Sequence, residues 1–177
     1  MKKTASFFTV LILVFGAFGC GPKLPPGIPK LHPCTIRLTM GGQPVAGATV
    51  ALFPDGEGDN TEGLWGTAGY TDSKGSLTLK TDGLYNGIPA GRYKITVFKV
   101  ETEEREYLGW GMAQDLPPPK TTVIVDLKYD DSDQTPLVIE VGAGKEKVFN
   151  LEVTAAADPV LPPNYGMIKA TRGMKKR

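Results

Sequence analysis

Side chains able to act as a catalytic base are scarce in this chain. Its 177 residues include one histidine, His32, and two cysteines, Cys20 and Cys34. Nucleophilic catalysis needs a nucleophile held beside an imidazole or another tuned base on a rigid scaffold. His32 instead lies among prolines, and with Cys34 it would supply only two metal ligands, without an evident third. The sequence therefore predicts no catalytic residues, no cofactor and no enzyme activity.

The chemistry that the sequence does predict is acylation of Cys20. Lys2 and Lys3 lie near the start of residues 1–19, and an uncharged run follows them. The sequence Gly19-Cys20-Gly21 stands at the end of this run. A basic start, about 15 uncharged residues and small residues before a cut are typical of a secretory signal, and such a run is too short to span a bilayer comfortably. Cleavage before Cys20 would make it the mature N-terminus and the attachment point of a thioether-linked lipid. Export without lipid and an uncleaved anchor are the alternatives.

Carboxylates at alternate positions indicate a candidate calcium loop. Asp55, Glu57 and Asp59 have the spacing of the first oxygen ligands in an EF-hand loop. The sixth position is Asn60 where that loop requires Gly, and the twelfth is Gly66 where it requires Glu. The three carboxylates are therefore candidate metal ligands, and the alternative is that they only keep a loop soluble.

Aromatic side chains near predicted loops suggest a different ligand. Trp65, Trp110 and Tyr107 are the main candidates, and Tyr70 and Tyr85 have similar positions. Exposed aromatic rings at the end of a sandwich can stack against sugar rings, as carbohydrate-binding modules do. The alternative is that these rings belong to the core or fold a loop over it.

Net charge gives no reason to expect nucleic acid as a partner. The formal charge is +1, and removal of residues 1–19 takes away two lysines and leaves −1. A nearly neutral chain has no basic field to hold a phosphate backbone. The 22 glycines and 15 prolines favour short strands and turns over a helical bundle.

Alternating apolar side chains predict an all-β domain over residues 35–154, a seven-stranded antiparallel β-sandwich. Turn residues Gly41 to Pro44 predict that the first two strands form a hairpin. Asp72 to Gly75, with Asp first and Gly last, predict a hairpin of the next two. The predicted strands cover residues 35–40, 45–53, 67–71, 76–79, 92–100, 137–141 and 148–153.

The segments around the sandwich strands are predicted to be flexible. Residues 20–34 hold the lipidated cysteine and a Pro-rich spacer, whose backbone is expected to make no ladder. Residues 101–135 are predicted to be a long loop with one edge strand at Thr122 to Leu127. Residues 155–177 are predicted to leave the fold as a Pro-rich linker and a basic tail, and such a tail would attract anionic headgroups or envelope polymers.

Three short motifs resemble those of one known family. They lie at Gly42 to Val50, Gly69 to Leu77 and Ile88 to Val97. Their order and spacing are similar to the carboxypeptidase regulatory-like (transthyretin-like) domain, and the resemblance covers residues 35–153. Leu77 departs from the family, which usually has Phe there. The resemblance implies a β-sandwich in an accessory role, because peptidase zinc motifs need histidines that this chain lacks.

These observations predict a bacterial lipoprotein that presents a β-sandwich in the cell envelope for structural or protein-interaction roles. A carbohydrate-binding module is the alternative. The expected partners are the membrane, through palmitate or a similar acyl chain on Cys20, and an envelope protein or polysaccharide, but no nucleic acid. The location is expected to be extracytoplasmic. Gly21, rather than Asp, after the cysteine favours the outer membrane if the cell is Gram-negative.

Overall fold

Strands account for most of the regular structure. The structure, a computed structural model, describes residues 24, 26–56, 66–104, 119–142, 144, 146–162 and 165. Within these residues there are fourteen short strands and one 3-10 helix, Leu127–Asp130. The strands are β1 (Leu31–His32), β2 (Cys34–Met40), β3 (Gln43–Pro44), β4 (Thr49–Pro54), β5 (Thr67–Tyr70), β6 (Ser76–Thr78), β7 (Lys80–Thr81), β8 (Tyr85–Asn86), β9 (Ile88–Pro89), β10 (Gly91–Phe98), β11 (Val100–Thr102), β12 (Thr121–Val123), β13 (Val138–Val141) and β14 (Lys147–Val153).

Two four-stranded sheets form a β-sandwich around one core. One sheet has the strand order β13-β10-β4-β5, and the other has β14-β2-β3 with β6 also paired to β2. Buried side chains from both sheets belong to a single apolar cluster. The all-β prediction is confirmed. Among the described strand pairs, β2 and β14 are an exception to antiparallel pairing, because they run parallel from Cys34 and Lys147 to Met40 and Val153.

Alternate side chains of the long strands fill the core. Ile36 and Leu38 of β2 and Ile95 and Val97 of β10 are at most 1% exposed. Burying an aliphatic side chain of this size contributes about 1.5–3 kcal/mol. The alternation in the sequence therefore correctly predicts which face of each of these strands packs against the core.

Both predicted hairpins are wrong, because the chain changes sheets where each was expected. β2 turns back at Gly41 and Gly42 only for the two residues of β3, and β4 then joins the other sheet. Likewise β5 pairs with β4, whereas β6 pairs with β2. Changing sheets lets both flanking strands bury one face in the same core. We call these crossings the first arch (residues 45–48) and the second arch (residues 71–75).

A buried threonine joins the two arches. The Thr71 hydroxyl accepts a hydrogen bond from the N–H of Ala48 at 2.9 Å and donates to the carbonyl of Val45 at 2.7 Å. Main-chain bonds lie beside it, since Gly47 N donates to Thr71 O and Thr71 N donates to Ala48 O. Each arch thus satisfies the buried polar groups of the other.

An aspartate and a glycine shape the second arch. The Asp72 carboxylate accepts hydrogen bonds from the N–H groups of Ser76 and Lys74, both at 2.8 Å, and these bonds hold its pKa below the usual range. Gly75 has a φ of 70°. A Cβ at this position would lie 2.5 Å from the carbonyl oxygen of Leu38, so the arch requires glycine.

The first strand begins before the predicted start at Thr35. Leu31–His32 pair with β9, so the expectation that the spacer makes no ladder up to Pro33 is wrong at these residues. Proline removes only its own N–H, and its neighbours keep theirs. Gly87 permits the approach, because a Cβ there would lie 2.6 Å from the carbonyl carbon of His32.

The predicted loop 101–135 is partly regular. β11 pairs with β12, and residues 105–118 lie outside the described residues. The edge strand predicted at Thr122 to Leu127 is observed as β12 and ends at Val123. The 3-10 helix, Leu127–Asp130, follows it. Its start is capped by Asp126, whose carboxylate accepts a hydrogen bond from Lys128 N at 3.0 Å.

The residues after β14 return along the domain instead of leaving it. Isolated bridges join Val125 to Ala155 and Thr122 to Val160, and Val123 N donates to Pro159 O at 2.7 Å. The expected departure of the chain at residue 155 is therefore wrong. These residues find main-chain partners on the segment around β12.

Gly75→Ala should lower the free energy of unfolding by about 2–4 kcal/mol, because it adds a clash with a carbonyl to an unfavourable φ. Gly41→Ala is the matched control, since Gly41 has a φ of 58° but no atom within 4 Å of its Cβ position. It should cost only about 1–2 kcal/mol. Urea titrations followed by circular dichroism would measure both. Equal losses would contradict the role assigned to the contact with Leu38.

Candidate functional site

His32 and Cys34 lie close together, but their bonding is internal. Cys34 Sγ donates to the main-chain carbonyl of His32 at 3.3 Å, and His32 Nδ1 accepts from the N–H of Gly144 at 3.4 Å. They are 5% and 1% exposed, so the prediction of a flexible spacer is wrong at these two residues. Burial raises the pKa of the Cys34 thiol, although the Lys147 ammonium opposes this. The described residues hold no cluster of three or more metal-ligating side chains.

Tyr93 is a further buried group of the same region. Its hydroxyl donates to the carbonyl of Pro89 at 3.0 Å. Burial, with a smaller contribution from the nearby Cys34, raises the pKa of Tyr93 to about 12. The phenol therefore stays protonated near neutral pH and serves as a donor that ties β10 to β9.

The first of the three predicted calcium ligands is engaged by two cations. Asp55 Oδ2 lies 2.8 Å from Arg92 Nε, and its Oδ1 lies 3.7 Å from Lys94 Nζ. Glu57 and Asp59 are outside the described residues. A calcium ion at Asp55 would have to compete with Arg92 and Lys94 of β10. These two residues are far from Asp55 in the sequence, so the sequence alone does not predict the competition.

The structure adds an aromatic surface that does not depend on the predicted tryptophans. Trp65, Tyr107 and Trp110 lie outside the described residues. Tyr70 on β5 is 72% exposed and Phe53 on β4 is 44% exposed. Strand register places both on the outer side of their sheet.

These two rings lie at either end of a flat strip. Tyr70 pairs with Thr49, and Ala68 pairs with Ala51. Side chains alternate across a strand, so Thr49, Ala51 and Phe53 share the face opposite buried Val50 and Leu52. We call Tyr70, Ala68, Ala51 and Phe53 the aromatic face. Sequence reasoning included Tyr70 but missed Phe53, because β4 is apolar on both sides and its alternation does not show which side is exposed.

The outer side of the other sheet is mainly polar, although Val148 of β14, which pairs with Thr35, is 45% exposed there. Arg37 of β2 pairs with Ser76 of β6 and with Asn150 of β14, and it alternates with buried Ile36 and Leu38. We call Arg37, Ser76 and Asn150 the polar face. The two faces of the sandwich thus offer different chemistry: hydrogen bonding on one and ring stacking on the other.

The predicted acylation site lies in the part of the chain that the structure leaves undescribed. Cys20 and the predicted leader belong to residues 1–23, which are outside the described residues. Within the described ranges, no helix has both the length and the hydrophobicity needed to cross a bilayer.

Cys34 should resist alkylation in the folded protein, because its thiol is buried and its pKa is raised. We expect a Cys20→Ser variant, in which Cys34 is the remaining cysteine, to react with iodoacetamide at least about 100-fold more slowly in buffer than in concentrated urea, since reaction then requires opening of the core. Mass spectrometry of timed samples gives both rates. Rapid labelling in buffer, or a disulfide-linked dimer, would contradict the burial of this thiol.

Comparisons with known proteins assign no family. No protein-family model matches the chain, and no curated protein sequence matches it. A variant of BcpA, the major pilin subunit of Bacillus cereus, aligns with 71% of this chain at 15% identity and a TM-score of 0.43. A candidate carbohydrate-binding protein of Pseudomonas aeruginosa aligns with 72% at 13% identity and a TM-score of 0.34. A 9R-lipoxygenase from Cyanothece aligns with 80% at 15% identity and a TM-score of 0.30.

The aligned regions are 30% of the pilin chain, 90% of the Pseudomonas chain and 19% of the lipoxygenase chain. This chain therefore spans less than a third of the pilin subunit that it resembles. Identities and TM-scores this low carry no conclusion about activity, ligand or partner.

Proposed function

We propose that this chain is a lipid-anchored protein of the cell envelope, attached through Cys20, that presents a β-sandwich for structural or protein-interaction roles and catalyses no reaction. One observation carries the proposal: the described residues use their reactive side chains internally. His32, Cys34 and Tyr93 are buried and bonded to the main chain. What the domain offers to a partner is its surface.

The two arches support a place in the carboxypeptidase regulatory-like family. The first two motifs that resemble the family contain the arches, and the third contains Tyr93. Thr71 and Gly75 show why such motifs need these residues: one bonds both arches, and the other fits where a side chain would clash. Motifs of this kind specify a fold and not a reaction. They support an accessory role.

The position of β1 supports a short tether. Residues 21–30 lie between Cys20 and β1, and a chain of that length can span at most about 35 Å. A domain on such a tether stays close to the membrane that holds the lipid. We propose an extracytoplasmic location, on the outer membrane if the cell is Gram-negative.

Mass spectrometry of the mature N-terminus tests the anchor. We expect Cys20 at the N-terminus with a thioether-linked diacylglyceryl group, and recovery of the protein in the detergent phase of a cell extract. Cys20→Ser should remove the lipid and shift the protein to the aqueous phase. Cys34→Ser is the matched control and should keep the lipid. An unmodified Met1 or a free Gly21 terminus would overturn the proposal.

A second candidate function, carbohydrate binding, is favoured by the aromatic face. Sugar rings present C–H groups that stack on exposed aromatic planes, and Tyr70 and Phe53 expose such planes on one side of a sheet. Phe53 follows Thr49, the partner of Tyr70, by four residues, which separates the two rings by about 13 Å along the strand. Ala51 and Ala68 keep the strip between them flat. This spacing suits an oligosaccharide better than a single sugar.

Tyr70→Ala and Phe53→Ala should each weaken oligosaccharide binding about 2- to 10-fold, because a stacked ring contributes about 0.5–1.5 kcal/mol. Leu84→Ala removes a side chain that is 69% exposed and apolar but not on this face, so it is the control. Tryptophan fluorescence titrated with cellohexaose, chitohexaose and peptidoglycan fragments measures affinity. If no glycan changes the fluorescence or the melting temperature, the carbohydrate function is wrong.

A further inference from the structure

Charged side chains continue the aromatic face beyond Phe53. The ladder between β4 and β10 extends one residue pair past the end of β4, because Asp55 N donates to Arg92 O at 2.8 Å. Phe53 is paired with Lys94 in the same ladder. Side chains alternate across a strand, so these four lie on the outer side of the sheet, opposite buried Tyr93.

The carboxylate of Asp55 lies between two cations. Its Oδ2 is 2.8 Å from Arg92 Nε, and its Oδ1 is 3.7 Å from Lys94 Nζ. We call Asp55, Arg92 and Lys94 the ion-pair subsite. Its side chains are 24%, 62% and 34% exposed, so a ligand on the aromatic face can reach them. Arg92 donates to Asp55 through Nε, and its two terminal nitrogens are donors for a ligand.

The row of side chains at the other end of the aromatic face is uncharged. Strand register places Thr49 between Tyr70 and Phe98. A sugar at that end would meet an aromatic plane, whereas a sugar at the Phe53 end would meet an aromatic plane and the ion-pair subsite together. The two ends of the strip therefore differ in chemistry.

The charges around the ion-pair subsite cancel. Glu140 of β13 pairs with Arg92 from the opposite side to Asp55, so two carboxylates accompany two cations. An ionised carboxylate only accepts hydrogen bonds, and a guanidinium only donates them. Two neighbouring sugar hydroxyls can satisfy both groups, one donating to Asp55 and one accepting from Arg92. A carboxylate on the ligand cannot donate to Asp55 and is repelled by it.

We infer that the ion-pair subsite binds neighbouring hydroxyl groups of an uncharged glycan whose ring stacks on Phe53, and that Asp55 makes the site select neutral over acidic sugars. A sugar ring suits this arrangement because it carries hydroxyls around its rim and C–H groups on its face. The inference rests on the second candidate function, carbohydrate binding. It adds selectivity to a strip that stacking alone would leave indifferent to the charge of the sugar.

Calorimetric titration of the Cys20→Ser variant tests the selection. The probes are two neutral oligosaccharides, cellohexaose and chitohexaose, and one acidic oligosaccharide, hexagalacturonate. We expect the better neutral probe to bind at least about fivefold more tightly than the acidic one, which is the effect of one unit charge at about 4 Å in water.

Asp55→Asn, added to this variant, should move the two affinities in opposite directions. The affinity for the neutral probe should fall about 3- to 10-fold, because the amide replaces a charge-assisted acceptor. The affinity for hexagalacturonate should rise about fivefold, because Arg92 and Lys94 lose the negative charge between them. Arg92→Ala should weaken binding of both probes about 3- to 10-fold, since it removes the donors.

Matched controls make the same changes away from the aromatic face. Asp126 also pairs with a lysine, at 3.3 Å from Lys128 Nζ, and Asp126→Asn keeps a residue that caps a helix. Arg37→Ala removes an exposed arginine from the polar face. Both controls should leave each affinity within about twofold. Melting temperatures of all variants verify that they are folded.

Tighter binding of hexagalacturonate than of both neutral probes would overturn the inference, and so would an Asp55→Asn variant that changes both affinities equally or not at all. If Tyr70→Ala and Phe53→Ala weaken binding but Asp55→Asn and Arg92→Ala do not, carbohydrate binding stands and the ion-pair subsite alone is wrong. If no probe binds the starting protein, carbohydrate binding is wrong and the subsite is wrong with it.

Discussion

The hydroxyl of Thr71 holds together the end of the sandwich at which the chain twice changes sheets. It accepts a hydrogen bond from the N–H of Ala48 and donates one to the carbonyl of Val45. Both main-chain groups belong to the first arch, and without this hydroxyl they would be buried with no hydrogen bond from Thr71. An unpaired buried group costs about 1–3 kcal/mol, so this hydroxyl is costly to lose. The arches decide which strands lie in which sheet. The core and both outer faces therefore depend on this contact.

The surfaces that remain differ in the partners they suit. The polar face around Arg37 offers hydrogen bonds, and the aromatic face offers two exposed rings. A glycan would use the aromatic face. Neither candidate function needs a buried catalytic group.

Site prediction from the sequence was limited by contacts between distant residues. The spacing of Asp55, Glu57 and Asp59 suggests calcium, but the cations that reach Asp55 belong to β10, 37 residues later for Arg92. Phe53 alternates with buried Leu52 on a strand that is apolar on both sides, so its exposure could not be read from periodicity. Its position became clear only from the register of β4 with its neighbours.

The sequence by itself determined which residues turn and which alternate, and it predicts an export signal at residues 1–19. Asp72 acts locally through its hydrogen bonds to Lys74 and Ser76, and the positive φ of Gly75 belongs to the same turn. The alternation of buried Ile36 and Leu38 with exposed Arg37 is equally local. Only the tertiary structure decided that β5 and β6 belong to different sheets and that β14 runs parallel to β2. The reason is physical. Alternation of side chains every two residues shows which face of a strand is buried, but it does not show which strand lies beside it. The choice of neighbour depends on how the whole core packs.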